Sequence, residues 1–187
     1  MNIESVRKNS GYLLMSSGCV IFCLLLNYCN KISDCSLIFT CLAFLLNNIS
    51  ERYGKNKAIV SVIIAAVISF TFTYGMEYRI HGELINGLVI GSLLSLLVSS
   101  YAGLSILSKL KDKYDYYVRN FISLVVYALI DGLVMALFFF NIYSTDRVFT
   151  IFYKEVGYKC MYSFIGLSIF SVVFHCYKAM KNDFKVK

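Results

Sequence analysis

The sequence contains no proline and has little charge, and both shortages restrict the fold. Proline is absent from all 187 residues, which removes the commonest device for breaking a membrane helix. This argues against transporter folds that are built on proline-interrupted half-helices. Only 16% of the residues are charged, whereas 58% are hydrophobic. A single soluble domain of this size could not bury so much apolar surface, so the composition predicts a membrane protein.

Motifs for nucleotide hydrolysis, acyl transfer and zinc catalysis are also missing. The sequence has no P-loop and no GxSxG motif. Its only two histidines, His81 and His175, have no second His, Asp or Glu at ligand spacing. We therefore expect no enzyme activity, no metal and no cofactor. The net charge of +7 is divided among short loops, which indicates membrane topology and not a nucleic-acid-binding patch.

Six apolar runs in the sequence are long enough, or nearly so, to cross a bilayer. We predict an all-α polytopic membrane protein in which residues 1–187 form one domain, a bundle of six transmembrane helices. The first run lacks a typical signal n-region and a clear cleavage site, so we expect it to remain as helix 1. The predicted helices span about residues 13–29, 35–49, 58–74, 84–107, 118–139 and 160–176.

The distribution of Lys and Arg predicts the orientation of these helices. Most of the 18 Lys and Arg residues lie before helix 1, between helices 2 and 3, between helices 4 and 5, and after helix 6. Cytoplasmic loops carry such an excess, so both termini should be cytoplasmic. Arg119 should anchor the start of helix 5 at the interface on that side. Lys154 and Lys159 are expected in the outer loop before helix 6.

The seven cysteines do not form a metal-binding pattern, because no CxxC pair occurs. Most of them lie inside apolar runs, where cysteine is a small apolar side chain. Cys29, Cys35 and Cys160 are expected on the same outer side of the membrane. The sequence leaves open whether any two of them form a disulfide.

The fourth helix carries small residues at consecutive steps of four. Such a stripe lets two helix backbones approach closely, and helix packing is its first explanation. A sliding surface or a docking face for a partner stays open as an alternative. The residues of this stripe are Gly87, Gly91, Ser95, Ser99 and Gly103.

Asp131 lies in the middle of the fifth apolar run, near the expected bilayer midplane. A charge there costs about 2.5–3.5 kcal/mol on insertion scales, so such residues usually face a cavity or a partner. Tyr127 shares its helix face, and Ser123 lies on the edge of that face. Asn47 and Asn48 enter the membrane from the same cytoplasmic side and could line the same cavity. Asp131 is therefore the main candidate for a substrate or proton site.

Three segments resemble one known family. The string NNISERYGKNKA, from Asn47 to Ala58, resembles the Glu-x-Tyr-Gly signature of the queuosine-precursor transporter family, small membrane proteins also described as vitamin-uptake-like transporters. Ser95–Lys111 is similar to the fourth helix of that family. The polar residues of helix 5 resemble those of the family's fifth helix in order and spacing, and they are Arg119, Asn120, Ser123 and Asp131.

The chain also departs from the family pattern. Gly103 and Ala128 stand where the family usually has an aspartate and a glutamine, and Asn47 or Asn48 replaces a common aspartate. The resemblance covers roughly residues 47–139 and the six-helix layout. The resemblance therefore supports the fold more strongly than it supports the substrate.

The resemblance implies a transporter that imports a queuosine precursor, a 7-deazaguanine base, or a related heterocycle such as a vitamin across the bacterial inner membrane. A carboxylate such as Asp131 can accept two parallel N–H bonds from a guanine-like edge. Tyr127 could stack on the ring. The substrate-binding residues that the resemblance implies are Asp131, Ser123, Asn120, Arg119, Asn47, Asn48, Glu51 and Tyr127.

Two alternative functions stay open at this point. The chain could be the substrate-binding subunit of a multi-component vitamin importer, which needs an energising partner subunit. It could also be a non-transporting membrane scaffold in which Asp131 pairs with a polar group across helices. The expected partners are a small purine-like or vitamin-like molecule and the lipid bilayer, but no nucleic acid. The energy source and a homo-oligomeric state are not fixed by the sequence.

Overall fold

The computed structural model describes residues 3–29, 31–74, 79–80, 83–84 and 88–183, and the side chains of residues 9–29, 31–74 and 88–172. Six helices follow one another within these residues, and the one strand pairing is a two-residue antiparallel contact. The all-α, six-helix prediction is confirmed. The elements are α1 Ile3–Tyr28, α2 Ile32–Tyr53, α3 Lys55–Thr73, β1 Arg79–Ile80, β2 Glu83–Leu84, α4 Leu88–Lys109, α5 Tyr116–Phe139 and α6 Thr145–Asp183.

Five of the helices, α1 to α5, are long and apolar enough to cross a membrane. Large apolar side chains are exposed on their outward faces, Leu13, Val67, Leu94 and Leu133 among them. Helices with such surfaces suit contact with lipid, because their backbone polar groups are satisfied internally. The protein is therefore a membrane protein, whereas the cytoplasmic position of both termini stays a prediction.

α2 is the central helix of the bundle, because it contacts each of the other five. Along the rest of the bundle α1 packs on α3, α3 on α4, α4 on α5, and α5 on α6. α2 accordingly buries both apolar residues such as Leu42 and Leu46 and polar ones such as Asn47. It runs from Ile32 to Tyr53, beyond the predicted 35–49, and Glu51 in the added C-terminal segment pairs with Arg119 of α5.

Gly54 alone connects α2 and α3. Its φ of +95° lies in the region that favours glycine, and its N–H donates to the Ser50 carbonyl. α3 begins at the next residue, Lys55. The two helices therefore meet without an intervening loop, whereas the predicted helix bounds leave residues 50–57 between them. We call this end of the bundle the Gly54 end.

The small-residue stripe of α4 packs against α5. A Cβ added at Gly91 would meet the Phe138 ring, and one at Gly103 would overlap the Tyr127 ring. Between them the Ser95 hydroxyl reaches Asp131. The described part of the stripe is therefore an intramolecular packing surface, as close approach of two helices requires.

The predicted outer loop at residues 141–159 is wrong. α6 begins at Thr145 and not near Cys160, so most of that segment is helical. Polar residues interrupt the apolar pattern there, and hydropathy alone therefore reads the segment as a loop. Lys159 is in fact 2% exposed and pairs with Glu155 one turn earlier. These polar groups are satisfied by protein, and the helix can continue through them.

The start of the fourth helix also differs from the prediction, since Leu84 lies in β2 and α4 begins at Leu88. The expectations for His81 and Gly87, and for the side chains of His175 and Cys176, lie outside the described residues.

Replacement of Gly103 by alanine should destabilise the bundle. The added methyl group would overlap the ring of Tyr127, which is fully buried and cannot swing away. Overpacking of this kind costs about 1–3 kcal/mol. Circular dichroism during heating of the purified protein should therefore give a lower midpoint for Gly103→Ala. Gly166→Ala, where a Cβ meets nothing within 4 Å, is the matched control, and an equal drop in both variants would contradict the packing role of Gly103.

Candidate functional site

A cavity of about 370 Å³ opens in one half of the bundle. Its lining comes from the last residues of α1, the first turns of α2, α4 and α6, and the last turns of α5. All these segments lie at the end of the bundle opposite Gly54, which we call the cavity end. Apolar side chains dominate the walls, and examples are Leu26, Phe39, Leu88, Met135 and Phe139.

Three ionisable side chains from two helices meet at the floor of this cavity. Asp131 of α5 and Glu155 of α6 both form ion pairs with the Nζ of Lys159. Glu155 and Lys159 stand one helical turn apart, so they share a face of α6. The side chains are 7%, 16% and 3% exposed for Asp131, Glu155 and Lys159 respectively. This group, called the floor cluster below, is an ionic link between α5 and α6 inside the bundle.

Both oxygens of the Asp131 carboxylate already have partners. Oδ1 accepts a hydrogen bond of 2.6 Å from the Ser95 hydroxyl, and Oδ2 accepts one from Lys159. Asp131 is therefore not the isolated charge that the sequence suggested, and Lys159 offsets much of its insertion cost. A substrate that binds the Asp131 carboxylate has to displace one of these donors.

The mouth of the cavity carries further polar and aromatic groups. Arg147 lies over the ring of Tyr143, with its guanidinium carbon 4.3 Å from the ring centroid. Lys154 lines the same region. The Tyr143 hydroxyl has no hydrogen-bond partner within the described part of the chain. The Lys159 Nζ lies 4.2 Å from the centroid of the Phe39 ring of α2. This distance allows a cation–π contact between Phe39 and the floor cluster.

A second polar cluster fills the half of the bundle towards Gly54. Asn47 donates through Nδ2 to Asn120 Oδ1 at 2.5 Å. The Ser123 hydroxyl lies 3.3 Å from Asn47 Oδ1 and 2.9 Å from the Gly103 carbonyl oxygen. Asn47, Asn120 and Ser123 are each 0% exposed, so this cluster closes the centre of the bundle.

Two further pairs extend this cluster towards the Gly54 end. Arg119 donates to Glu51 Oε1 at 2.8 Å, and the Tyr116 hydroxyl donates to Asn48 Oδ1 at 3.1 Å. Arg119 is 7% exposed, so it is directed into the bundle and is not the interfacial anchor that we expected. Its partner on α2 explains the difference, because a buried guanidinium needs a carboxylate. We call these residues, together with Asn47, Asn120 and Ser123, the inner cluster.

Two donors of the inner cluster remain unsatisfied. Arg119 Nε and Asn120 Nδ2 are buried and have no hydrogen-bond partner among the described residues. An unpaired buried donor costs about 1–3 kcal/mol. The inner cluster therefore has hydrogen-bonding capacity that the closed bundle does not use.

Tyr127 lies in the core between the two polar clusters. It is 0% exposed, and its ring contacts Gly103 on one side and Phe39 on another, at 6.4 Å between ring centroids. It does not line the cavity, whose aromatic residues are Phe39, Phe139 and Tyr143. The predicted stacking of Tyr127 on a ligand is therefore not possible in this conformation.

The structure thus separates the predicted site residues into two groups. Of the eight side chains that the resemblance implies, Asp131 alone lines the cavity. Six others belong to the inner cluster, and Tyr127 lies between the two clusters. Glu155, Lys159 and Ser95 were missed as site residues because the segment before Cys160 was read as a loop and Ser95 as packing. The Glu-x-x-x-Lys spacing at 155–159 is the signal that could have found the first two.

The free thiols answer the question about disulfides for the described residues. Cys29, Cys35 and Cys160 are all unpaired. The Cys35 thiol instead donates to the Cys29 carbonyl oxygen at 3.1 Å. Cys29 and Cys35 both line the cavity, so they are chemical probes of its accessibility.

Comparison with known proteins identifies one family. The family model described as "Putative vitamin uptake transporter" matches residues 34–173, well over half of the chain. The matched segment begins in α2 and ends in α6, so it includes the whole floor cluster and the whole inner cluster. The comparison with curated proteins gives no match, and the comparison with solved structures gives none either.

Loss of Lys159 should destabilise the protein more than loss of the Asp131 charge. Lys159→Met leaves two buried carboxylates without a cation, whereas Asp131→Asn leaves Lys159 paired with Glu155. Breaking a buried ion pair costs about 3–5 kcal/mol. Thermal unfolding followed by circular dichroism should rank Lys159→Met below Asp131→Asn. Lys154→Met, on an exposed side chain of the same helix, is the control, and equal losses for Lys159→Met and Asp131→Asn would contradict the shared-cation arrangement.

Thiol labelling should show which side of the membrane the cavity faces. If both termini are cytoplasmic, the cavity end faces outward. A membrane-impermeant thiosulfonate added to intact cells should then modify a variant that retains only Cys35. A variant that retains only Cys19, which is 0% exposed, should stay unmodified. Modification of Cys35 only after the cells are permeabilised would reverse the predicted orientation.

Proposed function

The chain belongs to the vitamin uptake transporter family, and from this premise we propose that it imports a queuosine precursor or a related small heterocycle across the bacterial inner membrane. The observation that carries the proposal is the one-sided cavity that ends at buried charges. A transporter needs a site that is open to one side of the membrane and closed to the other. The floor cluster supplies the site, and the inner cluster supplies the closure.

The size and lining of the cavity favour a small flat ring as the substrate. Its volume of about 370 Å³ is near the lower end of ordinary ligand pockets, which span about 300–1,000 Å³. Apolar walls with a few convergent polar groups are typical of such sites. Phe39 and Tyr143 supply aromatic surfaces, and Asp131 and Glu155 supply carboxylate acceptors for the N–H groups of a 7-deazaguanine edge.

The inner cluster would take the substrate after the first site. When the bundle opens towards the Gly54 end, the contacts between α2 and α5 have to separate. Arg119, Asn120, Ser123, Asn47, Asn48 and Glu51 would then be free to bind the ring edge. The unsatisfied Arg119 Nε and Asn120 Nδ2 support this role, because a polar ligand would provide the partners that they lack.

The direction of transport follows from the predicted topology. With both termini in the cytoplasm, the cavity end opens to the outside and the Gly54 end to the inside. The substrate would enter from outside, contact the floor cluster and leave through the inner cluster. This step is translocation without covalent change, which is consistent with a non-enzymatic role.

Uptake of a labelled 7-deazaguanine base should depend on Asp131. The assay uses a bacterial strain that requires the precursor and has no other transporter for it. Loss of a charge-assisted hydrogen bond costs about 1.5–3 kcal/mol, so Asp131→Ala should reduce uptake by about tenfold or more. Leu133→Ala, at a position of the same helix that is 50% exposed, should leave uptake at the wild-type level.

Three other outcomes would contradict parts of the proposal. Wild-type uptake by an expressed Asp131→Ala variant would remove Asp131 from the mechanism. The absence of uptake by an expressed wild-type chain would remove the deazaguanine base as the substrate. Wild-type uptake by Asp131→Asn together with altered assembly in crosslinking would favour the membrane scaffold.

Reconstitution distinguishes a complete transporter from a binding subunit. We expect vesicles that contain only this chain to accumulate the labelled base. A requirement for a copurified ATPase would instead assign the chain to a multi-component importer. Mass and crosslinking measurements on the same sample would give the number of copies of the chain.

A further inference from the structure

The floor cluster contains an excess of negative charge. Two carboxylates, Asp131 and Glu155, share the single ammonium group of Lys159. The Ser95 hydroxyl, which donates to Asp131, is neutral. With all three ionisable groups charged, the cluster carries a net charge of one minus. Its side chains are at most 16% exposed, so water offers little compensation. An uncompensated charge in this position is costly, and binding of one positive charge would remove the cost.

Glu155 is the carboxylate that can accept this positive charge. Both oxygens of Asp131 are occupied, by Ser95 and Lys159. Glu155 uses Oε1 for Lys159 and is the more exposed of the two carboxylates. It also lines the cavity, so a cation that enters from solvent can reach it.

The charged and titratable groups around Glu155 come from several helices. α1 contributes Cys29, α2 contributes Cys35, and α4 contributes only neutral groups such as Ser92 and Ser95. α5 contributes Asp131, and Tyr143 follows that helix. The remaining groups lie along α6, and they are Arg147, Lys154 and Lys159. The positive charges of Arg147, Lys154 and Lys159 favour the ionised form of Glu155. The burial of Glu155 and the negative charge of Asp131 favour its protonated form.

The number of available ligand atoms favours a proton over a metal cation. Hard metal cations need six or more oxygen ligands, but the floor cluster has one carboxylate oxygen without an assigned donor. Among the described residues, no group of three His, Cys, Asp or Glu side chains could hold a metal ion. A proton needs a single acceptor atom, and Glu155 offers one.

We propose that Glu155 is a proton-binding site of this transporter and that Lys159 responds to its charge. A hydronium ion in the cavity transfers a proton to the Glu155 carboxylate. An O–H bond of the hydronium ion breaks, an O–H bond forms on Glu155, and the products are a water molecule and the neutral acid. Lys159 then has Asp131 as its single counter-ion, and the floor cluster becomes neutral. No other bond forms or breaks in this step.

Protonation of Glu155 would couple to movement of the bundle through desolvation. Closing the cavity removes the remaining water from the floor cluster, and this costs less for a neutral cluster than for a charged one. The protonated state therefore favours the conformation that is closed at the cavity end. This coupling rests on the proposed transport function, whereas the proton site itself does not.

Infrared difference spectroscopy tests the proton site without any substrate. The full chain is placed in lipid nanodiscs, and spectra are recorded as the pH is lowered from alkaline to acidic. The carbonyl band of a protonated carboxyl group in an apolar site should appear in the wild type and be lost in Glu155→Gln. Asp146→Asn, which removes an exposed carboxylate of the same helix, should retain it. Persistence of the full band in Glu155→Gln would overturn the proposal.

A second variant guards against failure of Glu155→Gln to fold. Glu155→Asp keeps an acid at the position, so the band should remain with a shifted midpoint. A band that is unchanged in both midpoint and intensity would overturn the assignment to residue 155. Size-exclusion profiles of the variants establish that the comparison is made on folded protein.

Vesicle uptake tests the coupling to transport. Uptake of the labelled deazaguanine base should be faster in the wild type when the outside is more acidic than the inside, and Glu155→Gln should lose this dependence. Uptake by Glu155→Gln that still follows the pH gradient would overturn the coupling. If the wild type takes up no base at all, the proposed substrate fails, while the infrared result still decides the proton site.

Discussion

The ammonium group of Lys159 bridges α6 to α5, and the cavity depends on this bridge. Lys159 and Glu155 are charged residues of α6 that lie inside the bundle, and each has a partner of opposite charge there. Asp131 provides the partner of Lys159 from α5. The same bridge fixes the floor of the cavity, because Phe39 lies against the Lys159 ammonium on the other side. Helix position, cavity shape and site chemistry therefore have one common cause.

The fold was more predictable from the sequence than the site was. The apolar runs predict the helix order, because they are a local property of the chain, but they do not predict that α2 and α3 meet at Gly54. The segment before Cys160 was misread because hydropathy treats each polar residue as solvent-exposed. Whether Lys159 is exposed or paired depends on where Asp131 lies in space, which a linear pattern does not contain. For the same reason the sequence predicts one cavity for Asp131, Asn47 and Asn48, whereas only Asp131 lines the cavity of the structure.

Close packing of α4 on α5 also bears on the chemistry of the site. Position 103 is one where the sequence resemblance leads us to expect an aspartate, but the residue is Gly103 and the ring of Tyr127 fills the space that a side chain would occupy. The large residue on α5 and the missing side chain on α4 thus belong to one packing arrangement. The aspartate that is missing at position 103 would stand next to Ser123, in the inner cluster and not at the cavity floor. The departure from the family therefore alters the second half of the proposed path and leaves the first half unchanged.

The single-residue connection at Gly54 limits how the bundle can move. A single residue joins α2 and α3 at that end, so we expect the two helix ends to move together. An opening at the Gly54 end, which the proposed transport requires, would then form between the α2–α3 pair and the α4–α5 hairpin. That separation would break the Arg119–Glu51 and Asn47–Asn120 contacts in one movement, because both join α2 to α5. In the proposed transport cycle, the contacts of the inner cluster would therefore have to break together, and their combined strength would contribute to the energy barrier of opening.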